Sequence, residues 1–331
     1  MLFVSFHDDG GGERNIAAYE DDGTPIVDKV LIGPVPAVDA ELRGLCFVLP
    51  DILWALNGAS KNSEIMGFAR LAPTVYKFFG QVTSYAAVDS LWHPFDITFS
   101  NQNEKLYCYV SNQDTNVVAR LEVGARVQPA PTAPALPKGG KFLEGTFVAS
   151  STEKLPGVKK ETTPILPGAG GLEVELDKGG KKVLHSVRGV VWANGALYVA
   201  DEPGNAIKVY NAEGGFLKPA TQLHTPVHLL AHEDERTGAE TLYVTGKRGV
   251  FWAPLRKGSP EKLEFPTTPG IEWPGASGMA FGSDGSFYVA NRESRQVRRF
   301  ENFSPNPSDT PIPSVTFEVF PEPEFILYVA D

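Results

Sequence analysis

The sequence predicts an all-β protein, a six-bladed β-propeller, and three observations point to that fold class. A strand centred on Leu-Tyr-Val recurs along the chain, and a second repeated strand precedes most of its copies. The upstream strands begin at residues 43, 95, 188, 227 and 277. A period of roughly 40–50 residues is typical of four-stranded blades. The central strands are Leu106–Asn112, Leu197–Asp201, Leu242–Gly246 and Phe287–Asn291, with weaker versions at Leu53–Asn57 and Leu2–Phe6.

The clearest blade begins at Val187 and shows why these residues form strands. Val187–Trp192 is a compact apolar run, and Asn194-Gly195 is a strong hairpin signal. Leu197–Ala200 follows that turn, and Ile207–Tyr210 is a third strand after a polar loop. A sheet this small cannot bury both faces alone, so it needs similar sheets stacked against it.

The remaining elements follow in order along the chain. The first blade is predicted to hold Leu2–Phe6, Arg14–Glu20 and Pro25–Gly33. The later blades are predicted at residues 43–84, from His93 onward, 187–223, 226–268 and 275–320.

Both ends of the chain are predicted to pair within the first blade. That blade lacks an inner strand, and Glu324–Asp331 offers a spare one. Pairing the two ends closes the ring and removes exposed sheet edges.

Residues 125–185 are the irregular part of the single predicted domain, which spans residues 1–331. Gln128–Gly140 is rich in proline and alanine and predicts an exposed excursion. Phe142–Ser150 is a candidate for the outer strand of the third blade. Seven blades stay an alternative because this long gap could hide a degenerate unit, but it carries no second copy of either repeated strand.

Composition limits the partners. The 331 residues carry a net charge of −10, which argues against nucleic acid or an anionic membrane. No apolar run reaches the ~18 residues that span a bilayer. The first residues lack the features of a signal peptide, so a cytoplasmic location is expected, and secretion after processing stays open. A monomer is expected. Cys46 and Cys108 lie in predicted inner strands and are expected to be buried free thiols.

The pattern LYVAD…N…I.VY, which starts at Leu197, is similar to NHL-type and gluconolactonase-like six-bladed propellers. The resemblance covers most of the chain, with a gap near residues 125–185. It implies a site in the central channel, on the face where the inner strands begin. It leaves the activity open, because such propellers include lactonases, lyases, synthases and non-catalytic binding modules.

Polar and aromatic residues at the starts of the inner strands are the candidate site. Three histidines could transfer protons near neutral pH. Two arginines could bind a carboxylate or another polar oxygen, which predicts an electropositive channel mouth. The predicted catalytic residues are His93, His224 and His228, and the predicted ligand-binding residues are Arg43, Trp92, Asp96, Arg188, Trp273 and Ser277.

Simpler interpretations stand beside this one. Each histidine taken alone fits a structural turn, and Asp201 and Asn112 fit loop organisers that bond nearby backbone groups. His232 lies in a charged hairpin loop and is expected to be exposed. Glu41 and Asp96 could also neutralise both arginines and leave a purely structural network.

A metal site finds little support in the sequence. The resemblance implies that a divalent cation is held by asparagine and aspartate where the inner strands begin, yet Arg188 and Ser277 stand in those places. Hard cations need oxygen ligands, and a guanidinium repels them. No metal or cofactor is therefore expected, and a zinc site would require His93, His224 and His228 to converge. The chain also lacks a G-x-S-x-G elbow and a phosphate-binding loop.

The leading hypothesis is a metal-independent enzyme of hydrolase, lyase or cyclase type that binds a small polar or anionic organic molecule at the channel mouth. A non-catalytic propeller that binds a small molecule or protein on the same face is one alternative. A metal-dependent lactonase-type hydrolase is another. A polar pocket with histidine in reach of a ligand favours the enzyme, and a channel filled by side chains favours the binder.

Overall fold

Six sheets form a ring in the computed structural model, and every regular element it describes is a strand. The described residues are 1–7, 16–26, 31–32, 41–49, 52–59, 63–72, 75–84, 91, 93–103, 105–113, 117–123, 149–152, 186–211, 216–234, 237–260, 262–305 and 311–329. The innermost strands of neighbouring sheets contact each other all the way around the ring. The prediction of a six-bladed β-propeller is therefore confirmed.

The first three blades contain thirteen strands. Blade 1 consists of β1 (Leu2–His7), β2 (Ile16–Tyr19) and β3 (Pro25–Ile26), with β25 (Glu322–Tyr328) as its innermost strand. Blade 2 consists of β4 (Leu31–Ile32), β5 (Leu42–Leu49), β6 (Ile52–Asn57), β7 (Glu64–Ala72) and β8 (Val75–Ser84). Blade 3 consists of β9 (Pro94–Gln102), β10 (Lys105–Asn112), β11 (Val117–Val123) and β12 (Ala149–Thr152).

The last three blades contain four strands each, in sequence order from the channel outward. Blade 4 consists of β13 (Val187–Ala193), β14 (Ala196–Asp201), β15 (Ala206–Tyr210) and β16 (Phe216–Gln222). Blade 5 consists of β17 (Leu229–Asp234), β18 (Ala239–Gly246), β19 (Gly249–Pro254) and β20 (Ile271–Glu272). Blade 6 consists of β21 (Ala276–Phe281), β22 (Phe287–Asn291), β23 (Gln296–Phe300) and β24 (Val315–Glu318).

The predicted blade boundaries agree with these strands except at the outer edges. Pro25–Gly33 is not one strand of blade 1, because β4 pairs in parallel with β8 of blade 2. The last strand of blade 5 lies beyond the predicted limit of residue 268. The outer strand of blade 3 is β12, which overlaps the end of the segment predicted for it, Phe142–Ser150. The predicted excursion at 125–185 otherwise lies outside the described residues.

The two ends of the chain close the ring, as predicted. β25 pairs antiparallel with β1, with Leu2 opposite Tyr328 and Ser5 opposite Phe325. β25 also contacts the inner strands of blades 2 and 6. The last strand therefore belongs to blade 1 and also packs against the inner strands of both neighbouring blades.

The second strand of each blade is the most apolar because blades cover both of its faces. In β14, Tyr198, Val199 and Ala200 are fully buried. Five apolar clusters lie between neighbouring blades and together follow the ring. Cys46 and Cys108 are free thiols, as expected, but only Cys108 is buried and Cys46 is half-buried. No helix in the described part of the chain is long and apolar enough to span a membrane.

Candidate functional site

A bulge near the start of every inner strand positions the side chains of the channel. In each blade two consecutive residues of the inner strand face one residue of the second strand, which re-aims their side chains. In blade 5 this follows from Thr245, which accepts from the Val227 N–H and donates its own N–H to the His228 carbonyl. The bulged pairs are Arg43-Gly44, Phe95-Asp96, Arg188-Gly189, Val227-His228, Ser277-Gly278 and Glu324-Phe325.

Glycine alternates with larger residues at the second position of these bulges. A Cβ on any of the three glycines would lie 3.0 Å or closer to the backbone of the next inner strand. The glycines therefore let the blades approach in pairs, and the other three blades supply the side chains at this level. The close approaches are Gly44 to Asp96, Gly189 to His228 and Gly278 to Phe325.

Phe95 closes the end of the channel where the inner strands begin. Its ring is fully buried and lies 5.1 Å from the ring of Phe325 and 5.2 Å from that of His228. The guanidinium groups of Arg43 and Arg188 lie 5.5 and 5.0 Å from the Phe95 centroid, within cation–π range. An aromatic plug held by two arginines therefore seals this end.

Both arginines are ion-paired with glutamates. Arg43 is buried, bonds Glu41 and donates to Gln113 Oε1 at 2.5 Å. Arg188 Nε donates to Glu202 Oε2 at 2.6 Å. The expectation of an electropositive mouth is therefore not supported by the described residues, and Glu202 rather than Asp96 is the partner of Arg188.

A cavity of about 350 Å³ lies inside the channel, and inner strands of all six blades line it. At the plugged end its walls include the buried residues Asp96, His228 and Phe325, whereas Thr98 and Tyr328 at the other end are partly exposed. The cavity is therefore closed where the inner strands begin and opens toward the hairpins that follow them. This volume falls at the small end of the range for ligand sites.

Asp96 is a buried carboxyl group in this cavity without a cationic partner. Its two oxygens accept the Ile97 N–H at 2.8 Å and the Val190 N–H of blade 4 at 3.0 Å. No lysine or arginine among the described residues lies within ion-pair distance of it. Burial raises the pKa of Asp96 to about 7, although both backbone hydrogen bonds act in the opposite direction.

His228 faces the same cavity and is neutral at physiological pH. Its side chain is 4% exposed, and its Nε2 has no hydrogen-bond partner among the described residues. Burial, and then the positive charges of Arg188 and Arg43, lower the pKa of His228 to about 3. Two buried titratable groups whose pKa values move in opposite directions are typical of functional sites.

The other predicted site residues lie outside the cavity. His93 Nε2 is 3.8 Å from Glu41 on the sealed face, and the side chain of His224 is exposed. Trp273 packs between blades 5 and 6 with the Arg298 guanidinium 3.9 Å from its ring centroid. Ser277 Oγ donates to the Pro323 carbonyl of the neighbouring inner strand at 2.9 Å. Trp92 lies outside the described residues. Of the three predicted histidines, the structure brings only His228 to the cavity.

The simpler interpretations hold for the polar loops on the sealed face. Asp201 accepts the Gly204 N–H at 3.1 Å and pairs with Lys208 at 2.6 Å. Asn112 donates to the Val110 carbonyl at 3.0 Å. The expected exposure of His232 was wrong, because it lies on β17 with its ring stacked on Phe281 at 3.7 Å.

A larger pocket of about 450 Å³ lies between the hairpins of blades 5 and 6, beyond the stacked His232 and Phe281. Its carboxylates already serve local turns: Asp284 binds Arg299 at 2.8 Å, and Asp234 accepts the Thr237 N–H at 3.2 Å. The central cavity is therefore the stronger candidate, because its buried carboxyl has no such role in a turn.

Sequence reasoning missed the aromatic part of the site. The repeat pattern predicts Phe95 and Phe325 only as strand residues, although each occupies a bulge position equivalent to Arg43 or Gly44. Aligning the bulges across the blades would have found both. Thr98 and Tyr328 carry no such signal, since nothing in the sequence indicates that the channel stays open at their level.

Among the described residues, no group of three or more His, Cys, Asp and Glu side chains is arranged to hold a metal ion. By fold and channel, the described residues form a six-bladed β-propeller with an internal cavity at its axis, lined by apolar residues and a few polar side chains.

Solved structures agree with that class. A putative 6-phosphogluconolactonase from Bacteroides uniformis is 11% identical with a TM-score of 0.56, over 95% of this chain and 81% of that one. A chain of a nidogen/laminin complex is 11% identical with a TM-score of 0.54, over 98% and 96%. A streptogramin B lyase is 13% identical with a TM-score of 0.51, over 98% and 86%.

These identities are low enough that the likeness concerns the fold alone. No family model matches the sequence. No curated protein matches it either. The three neighbours also differ in what their names describe, so the fold does not select one activity.

Proposed function

We propose that this protein binds a small organic molecule in the central cavity, which the ligand reaches from the end of the channel opposite Phe95. The observation that carries the proposal is the cavity of about 350 Å³ in which Asp96 and His228 face the same space. A pocket with apolar walls and a few convergent polar groups is the usual form of a small-molecule site.

The energetic cost of this arrangement supports a functional role. A buried carboxyl without a cation and a buried imidazole without a partner each lower the stability of the fold. Glycines opposite them hold the blades close, so the polar side chains cannot move out between the strands. A purely structural channel would be better filled by apolar side chains, as Phe95 fills the sealed end.

A blocking variant tests the location of the site. Val191 lines the open part of the cavity, and Val191→Trp is expected to fill it. Leu217→Trp is the matched control, because Leu217 is exposed on the outer strand of the same blade. Compounds from a metabolite library that raise the melting temperature of the wild type should still do so with Leu217→Trp and should fail with Val191→Trp. A blocked variant that responds like the wild type would place binding elsewhere and overturn the proposal.

Catalysis is the second candidate function, favoured by the opposite pKa displacements of Asp96 and His228. A carboxyl that titrates near pH 7 and a neutral imidazole could act as acid and base on a bound substrate. Two of the structural neighbours carry the names of enzymes, a putative 6-phosphogluconolactonase and a streptogramin B lyase, which is compatible with this role. Bound compounds should then be turned over by the wild type in the presence of a chelator.

The control for catalysis uses two histidines. His228→Gln should abolish turnover, whereas His224→Gln should not, because His224 is exposed outside the cavity. Binding without turnover of any bound compound would favour the non-catalytic propeller. Turnover that disappears with chelator would instead favour the metal-dependent lactonase-type alternative.

A further inference from the structure

The ionisable group in the cavity wall is a carboxyl group, although two arginines lie where the channel begins. Among the described residues that line the cavity, Asp96 is the only acidic one, and none is a lysine or an arginine. Arg43 and Arg188 lie against the other side of Phe95 and are occupied by Glu41 and Glu202. An anionic ligand in this cavity would therefore meet a carboxyl group rather than a guanidinium.

Acceptors also outnumber donors at the closed end. Each oxygen of Asp96 accepts one backbone N–H, and an ionised carboxylate has about four lone-pair sites, so each oxygen can accept a further bond. A neutral imidazole such as His228 offers one unprotonated ring nitrogen. A ligand group rich in N–H donors complements this end.

Aromatic rings complete the environment. Phe281, Phe325 and Tyr328 all line the cavity, and Phe325 packs edge-on against His228 with ring centroids 4.2 Å apart. Aromatic faces attract cations, and this attraction grows when the cation is desolvated.

We propose that the ligand of the central cavity is a small organic cation, a protonated amine whose ammonium group pairs with Asp96 while its carbon skeleton lies among the aromatic rings. This inference rests on the proposed function, because it names the class of ligand for the same site. It reverses the expectation from sequence that Arg43 and Arg188 select a polar or anionic molecule.

Matched probes test the charge of the ligand. Butyl, cyclohexylmethyl and phenylethyl compounds, each as the amine, the alcohol and the carboxylic acid, are titrated calorimetrically at pH 8. In at least one series the amine should bind ten or more times more tightly than its alcohol or acid. Val191→Trp should abolish that binding, which assigns it to the cavity.

Removing the carboxylate tests its role. Asp96→Asn should weaken amine binding at least tenfold and leave alcohol binding within about threefold. Glu202→Gln is the matched control, since it removes one negative charge on the far side of Phe95 and should leave amine binding unchanged. Equal losses in both variants would indicate a general field of the protein and would overturn the proposed pairing.

Proton release gives a readout that a structural role of Asp96 would not produce. The pKa of Asp96 is raised to about 7, while alkylamines stay protonated well above this range. Binding of the ammonium form should therefore release a proton below pH 7, and affinity should rise between pH 6 and 8. The titratable groups around Asp96 are Cys46 on β5 and His228 directly before β17, with His232 and Tyr328 along the cavity. Asp96→Asn should abolish the proton release.

The outcomes separate the two proposals. Alcohols or acids that bind in the cavity as tightly as the amines would overturn the amine assignment and leave the small-molecule site intact. If no compound of any series or of the metabolite library shows binding that Val191→Trp abolishes, the small-molecule site and the amine assignment are both overturned.

Discussion

The two sides of the Phe95 ring are built from the same inner strands, yet buried polar groups are paired with charges on one side and not on the other. At the sealed end Arg43 and Arg188 bind glutamates and cover the Phe95 ring. Below that ring, Asp96 is buried with backbone donors and no cation. Charge that serves the fold is paired within the chain, and charge left unpaired in a buried place marks the surface that a ligand completes.

Deleting residues 322–331 removes the strand shared by both ends and should have the largest effect. The deletion takes β25 from blade 1 and exposes an edge of β1, with Phe325 and Ile326 lost from the core. The cost should exceed a stability margin of about 5–15 kcal/mol, so no cooperative unfolding transition is expected. Removing only residues 330–331 is the control. A truncated protein that melts at the parental temperature would disprove ring closure by β25.

Phe95→Ala should break the sealed end and cost about 3–5 kcal/mol, as for other buried aromatic residues. Phe281→Ala at the open end is the comparison, because Phe281 is partly exposed and should cost about 1–2 kcal/mol. Urea unfolding of the three proteins measures both differences. Equal losses would mean that the two ends are packed alike.

Protonation of His228 in acid should subtract from the stability of the fold. Its pKa is lowered from 6.5 to about 3, so the folded state binds fewer protons than the unfolded state in that interval. Stability is therefore fully present above about pH 6.5 and falls as the pH drops toward 3. Between pH 7 and pH 4.5 this group should remove about 2–3 kcal/mol.

The contribution of His228 is read as the difference between the wild type and His228→Gln, by urea unfolding at both pH values, because the raised pKa of Asp96 acts in the opposite direction over the same interval. His224→Gln should keep it, since the exposed His224 lies outside the channel. If both variants lose the same pH dependence, or neither does, the burial of His228 beside the cavity is not its cause.

Arg188→Ala should have the smallest effect. Its ion pair with Glu202 is partly exposed, with 19% and 27% of the side chains accessible, and such pairs contribute about 1 kcal/mol or less. Because the arginine lies above Phe95, binding of cavity ligands should change less than twofold. A tenfold loss of binding would indicate that the ligand binds beside Arg188 at the channel mouth and not in the cavity.

Local patterns in the sequence were sufficient to predict the blades and the closure of the ring. The Leu-Tyr-Val strands, the Asn194-Gly195 turn and the spare strand from Glu324 all reflect contacts between neighbours in sequence or within one sheet. Such contacts follow from alternation, turn chemistry and strand count, so the order of the sheets could be derived before any coordinates.

The contents of the channel were decided by the tertiary structure alone. Asp96 caps the N–H of Val190, 94 residues away, and Phe95 receives arginines from two other blades. These contacts depend on the position of each bulge along the channel axis and on the rotation of each blade about that axis. No local sequence pattern specifies either quantity. The sequence therefore determined the blades and where each inner strand begins, whereas only the packing of six blades decided which side chains reach the channel, which of their charges are paired and which face the cavity.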